Sequence, residues 1–241
     1  MTGDTPEFCP LGIDGILVRF ARVLTEEANA QALAFRDAVA VAALPGVGEI
    51  ASSLTSVRVS FDPTVTSRMS LMEQLREIAQ TLSAQALSPK RLWHIPVAFG
   101  PDHAPQLAEA AALAGVTEDQ AVAEITGQDL RVIAIGFAPG QPYLGMLPPH
   151  WDIPRQGSLT ESLPRGALIA AVRQLIIWAA DAPTGWRHIG QTAFEVYRPD
   201  AAEPFAFAPG DVVRFARVSD HEFSALRQGD GNGGARCEVL R

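Results

Sequence analysis

A chain of 241 residues with 47% hydrophobic and 19% charged residues can bury a real core and has room for one large domain or two small ones. Its net charge of −8 argues against nucleic acid or an anionic membrane as partner, because both reward a basic surface. Lys90 is the only lysine and sits in a predicted linker. This excludes a lysine-dependent phosphate loop here and leaves a Schiff base without a pocketed amine.

Met1-Thr2-Gly3-Asp4 shows no basic segment ahead of an apolar run, so no signal peptide is expected. Residues 16–20 read as a strand, and alanine-rich residues 27–44 as a helix stopped by Pro45-Gly46. Alternation over residues 56–61 predicts a half-buried strand. Met69, Met72, Leu75, Ile78 and Ala79 then fall at helical spacing.

The texture changes around Ser88-Pro89-Lys90-Arg91. Residues 1–89 are therefore taken as one domain, 90–220 as a second, and 221–241 as a helical end and flexible tail. A strand is expected at 94–99, followed by helices at 105–114 and from Thr117, where Gln120 completes a capping box. From Leu130 onward the reading is strand and turn. Strands are expected at 132–135, once or twice within 168–178, at 194–197 and at 212–215, between dense proline and glycine signals. An α+β domain followed by a β-barrel fits this pattern. Ala167 to Ala180 is too short and polar to span a bilayer. A helix from Ser219 to Arg227, a polar linker at 229–234 and a frayed tail at 237–241 complete the chain. Cys9 and Cys237 form no C-x-x-C pair and read as free thiols of a cytoplasmic protein.

Several turn strings add a second layer. Gly136-Phe137-Ala138-Pro139-Gly140-Gln141-Pro142-Tyr143-Leu144 resembles the G-F-x-P-G-F-P-Y-L signature shared by the 5-oxoprolinase B subunit, allophanate hydrolase subunit 1 and the sporulation-kinase inhibitor KipI. Pro154-Arg155, Pro164-Arg165-Gly166, Pro183-Thr184-Gly185-Trp186, Ile189-Gly190-Gln191-Thr192 and the 209–215 string resemble that family's later motifs in order. Pro45-Gly46-Val47, Glu49 and Phe61-Asp62-Pro63 are similar to its N-terminal elements. The resemblance implies a ferredoxin-like α+β domain followed by a cyclophilin-like β-barrel. It also implies a C-type partner (similar to allophanate hydrolase subunit 2) with a related barrel, an A-type protein, and ATP used by the whole complex to open 5-oxoproline. The last five residues are similar to the opening strand of the C-type partner, which sets a second reading beside the frayed tail.

Under that resemblance the site candidates are Arg155, Gln174, Tyr143, Trp186 and Phe137, gathered around one mouth of the barrel. Arg155 could fork onto a substrate carboxylate, and equally reads as a structural arginine. Gln174 matches the glutamine of the family's G-x-Q-T-G element. Tyr143 and Trp186 could wall a pocket, but aromatics beside such turns read first as packing. His188 is a general base on pKa grounds alone, at a position where the family is usually apolar. The histidines have no metal spacing, so no metal is expected. Ile169, Val172 and Ile176 replace family glycines, and Gln141, Gln156 and Gln191 replace a phenylalanine and two arginines. Added side chains there should narrow or fill a cleft. Three functions stay open: an enzyme component for a small lactam or amide acid, a regulatory module of the kinase-inhibitor type, and a scaffold for its partner.

Overall fold

Alternation along Ser56–Phe61 puts Val57, Val59 and Phe61 on one buried face, and the rest of the N-terminal unit is built on that face. In the computed structural model, which describes residues 5–82, 89–229 and 231–240, the chain divides into two compact units between residues 82 and 89. Residues 1–4, 83–88, Asp230 and Arg241 lie outside the described residues, and with them part of the expected linker and tail.

The N-terminal unit runs β1 (Glu7–Leu11), β2 (Gly15–Arg19), α1 (Glu26–Ala42), β3 (Val47–Ser53), β4 (Ser56–Phe61), α2 (Arg68–Thr81). Its antiparallel sheet has the order β1-β2-β4-β3. Ile16, Val18, Val57 and Val59 meet Phe35 and Val39 of α1 and Leu71 and Leu75 of α2. Thr25 and Ser67 cap the two helices by accepting from Ala28 N and Ser70 N. β1 and β3 are additions to the sequence expectation. They form the sheet's two edges, where neither carries an unbroken buried face, so period-two alternation does not show in their residues.

The C-terminal unit opens with β5 (Arg91–Ala98), α3 (Leu107–Ala114), α4 (Glu118–Thr126), β6 (Leu130–Ile135) and β7 (Pro142–Gly145). A short ribbon pairs β8 (Thr160–Leu163) with β11 (Ala182–Thr184), and between them lie β9 (Ala167–Ala171) and β10 (Gln174–Ile177). β12 (Arg187–Gln191), β13 (Val212–Val218), α5 (Asp220–Arg227) and β14 (Arg236–Val239) follow. Strands β12-β9-β10-β7-β6-β13-β5 close into a seven-stranded barrel through Gln191 opposite Ala98. The fold is thus mixed α+β with a closed barrel and a separate sheet. Among the described residues no helix is long and apolar enough to cross a membrane.

Motif residues explain much of the barrel's wiring. Asp211 of the 209–215 string is 4% exposed and takes two bonds from Arg91, at 2.9 and 2.5 Å, and one from Ala208 N. Both expected helix-starting patterns form full capping boxes, Thr117 with Gln120 and Ser219 with Glu222.

Three C-terminal expectations change. Residues 194–197 are not a strand: only Tyr197 bridges to Phe205, while Glu195 N donates to Gly231 O. Phe194 and Val196 are apolar because they plug the core. The polar linker is packed, since a side chain on Gly233 would collide with the backbone of Ala193 and Phe194. The tail forms β14, antiparallel to the first half of β5 and covering the edge that β12 leaves open.

Candidate functional site

The β9–β10 hairpin sorts the sequence candidates. Leu168, Ala170, Leu175 and Ile177 point into the barrel core, whereas Ile169, Ala171, Ile176 and Trp178 join a second cluster on the opposite face with Trp186 and Leu163. Ile169 and Ile176, standing where glycines were expected, are 0% and 1% exposed and fill this layer. Tyr143 packs edge-on against Trp186 at 6.2 Å, and the Arg155 guanidinium lies 5.5 Å over the same ring. Phe137 stacks on Trp178 at 5.3 Å and remains 72% exposed. Four of the five candidates therefore meet through Trp178 and Trp186, on the outer wall of the barrel. Gln174 begins β10 opposite Gly145, with its Cγ 3.6 Å from where a Gly145 side chain would start.

A cleft of about 420 Å³ lies elsewhere in the same unit, between β12, the 164–166 turn, the 192–195 loop and α5. Its size suits a small organic ligand. Gly166 builds one wall: its φ is +81° and an added Cβ would collide with Thr192 O. Only glycine fits there. Gln191 donates through Nε2 to Arg165 O at 2.8 Å and to Thr192 O at 3.3 Å, which fixes the orientation of its amide. Its Oε1 is buried and accepts no hydrogen bond.

His188 lines the same cleft. Its backbone is held from both sides by Gln106, whose Oε1 accepts from His188 N at 2.9 Å and whose N donates to His188 O at 3.0 Å. The ring Nε2 is buried without a hydrogen-bond partner. Burial pushes the imidazole below the usual histidine range, outweighing the opposing pull of the Gly190 backbone and Gln191. The ring is thus neutral near pH 7. Arg165, loosely paired with Glu195 at 3.6 Å, and Arg227 stand at the rim. Gln106 also donates to Gln156 Oε1 at 2.7 Å, and Gln156 Nε2 donates to Trp186 O at 2.9 Å. A chain of amides therefore connects His188 to the aromatic wall.

Sequence reasoning placed His188 and Gln191 only as departures from a family pattern. That departure was itself the available signal: two polar residues placed on a strand of a closed barrel have to meet something.

Residues 6–207 match the family described as carboxyltransferase domain, subdomain C and D. The B subunit of the 5-oxoprolinase of Bacillus subtilis (strain 168) is 27% identical over 232 residues, covering 90% of this chain and 95% of that protein. The corresponding B subunit of Escherichia coli O157:H7 is 31% identical over 173 residues, 71% of this chain and 78% of its own length. The crystal structure of TTHA0988 superposes with a TM-score of 0.73 at 30% identity over 85% of this chain, which spans 40% of that longer protein.

Proposed function

Because the chain belongs to the carboxyltransferase subdomain C and D family, we propose that it is the B-type member of a 5-oxoprolinase-type complex acting on a small lactam or amide acid. The observation that carries this reading is the likeness to a 5-oxoprolinase B subunit, which runs through both units and over 90% of the chain. On this reading two further proteins complete the complex in the cytoplasm, a C-type partner with a related barrel and an A-type partner. ATP is then used outside this chain, whose single lysine, Lys90, belongs to no phosphate loop.

The same reading covers the finer fold. Strand β2, helix α1, strands β3 and β4 and helix α2 follow the order of a ferredoxin-like unit, with β1 at the edge that unit's last strand would hold. The barrel is taken as cyclophilin-like.

Co-expression with the C-type and A-type partners tests the proposal. A complex that releases glutamate from 5-oxoproline only with ATP is expected, and turnover no higher than without this chain overturns it. A binding module of the kinase-inhibitor type is the second reading, favoured by Phe137, an aromatic 72% exposed on a rigid Trp178 support. Pull-downs that recover a C-type partner and no kinase count against it.

A further inference from the structure

We propose that the cleft beside β12 binds the lactam acid itself, with His188 and Gln191 reading the lactam and Arg227 the carboxylate. This assignment rests on the functional reading above and locates that function within the chain.

Two unsatisfied atoms face the cleft. His188 and Gln191 are each 8% exposed, and His188 Nε2 and Gln191 Oε1 have no hydrogen-bond partner. Burying such groups unpaired costs roughly 1–3 kcal/mol each, so a site that keeps two of them on one cleft is built for a polar ligand. Their hydrogen-bonding characters differ. Gln191 Oε1 can only accept, because its amide nitrogen is already committed to Arg165 O and Thr192 O. The neutral His188 ring donates from Nε2 when the proton sits there. The two side chains neighbour each other on one strand.

A ligand that satisfies both must show a donor and an acceptor side by side. A trans amide points its N–H and C=O in opposite directions, whereas a lactam ring forces them cis and adjacent. The lactam N–H then goes to Gln191 Oε1 and its carbonyl oxygen to His188 Nε2–H. At the rim, Arg165 is shared with Glu195, while Arg227 makes no ion pair among the described residues. Arg227 is therefore available to fork onto a carboxylate. The cleft volume of about 420 Å³ accommodates such a ligand with space for a partner chain to close over it.

The test is calorimetric titration of 5-oxoproline and of 2-pyrrolidinone, which lacks the carboxylate, into the full chain and into the reconstituted complex. His188→Phe keeps a flat ring and removes Nε2; Arg227→Gln alters an exposed helix residue. His188→Phe is expected to weaken both ligands at least tenfold. Arg227→Gln is expected to weaken 5-oxoproline about tenfold and leave 2-pyrrolidinone unchanged. No saturable binding in either preparation, or affinities that both variants leave within twofold, overturns the site. Glutamate release that both variants leave intact also removes the site, and leaves the functional reading standing. Variant-sensitive binding in a complex that opens no lactam does the reverse.

Discussion

Val172 and Arg173 form the two-residue turn between β9 and β10 with φ of +45° and +62°. Both lie in the left-handed region, where an L side chain crowds its own carbonyl by about 1–2 kcal/mol and a β-branched one fares worst. The turn is held in place from outside. Val172 N donates to Ile153 O at 2.9 Å, Arg173 N to Trp151 O at 3.0 Å, and Leu147 N to Arg173 O at 2.8 Å. Val172 is 37% exposed, so its removal loses little burial. Val172→Gly relieves the crowding and gives back about 0.5–1 kcal/mol through unfolded-state entropy. The net expectation is a gain of about 0.5–1 kcal/mol. Urea denaturation followed by tryptophan fluorescence reports this unit alone, since Trp93, Trp151, Trp178 and Trp186 are the chain's 4 tryptophans and all lie in it. At a slope near 2 kcal/mol/M the midpoint should rise by about 0.25–0.5 M with the slope unchanged. A lowered midpoint would mean that the valine side chain itself holds the hairpin against residues 147–153, and the strain argument would fail.

Asp211→Asn keeps the acceptor for Ala208 N but discharges the partner of Arg91. Fully buried pairs lose about 3–5 kcal/mol when broken; Arg91 is 29% exposed, so a loss of about 2 kcal/mol is expected by the same denaturation assay. His188 supplies a pH test. Its folded pKa lies below the unfolded value of about 6.5, so on acidification the unfolded chain takes up the proton first. Its contribution is full above that value and is lost as pH falls through it toward the folded pKa, by at most about 1.4 kcal/mol per pH unit. His188→Phe should flatten stability between about pH 7 and 5, and an unchanged slope would show that His188 is not held neutral.

The sequence was most legible where local chemistry decides the conformation. Capping boxes at Thr117 and Ser219, the alternation of 56–61 and the helix stop near Pro45 all describe neighbours along the chain. Edge strands β1, β3 and β14 were not legible, because their places depend on a sheet assembled from distant segments. Residues 194–197 misled for a related reason: alternating apolar side chains can plug a core from a loop as well as from a strand. The site shows the same division. Tyr143, Trp186, Arg155 and Phe137 do gather, but on a wall that Ile169 and Ile176 have filled. The open cleft is lined instead by His188 and Gln191, whose unpartnered atoms only the closed barrel makes visible.

Adding this chain back to fixed amounts of the C-type and A-type partners tests the central claim most directly. ATP-dependent glutamate release from 5-oxoproline should rise with added chain and level off at a fixed stoichiometric ratio. Release that stays at the level seen without the chain would contradict the account.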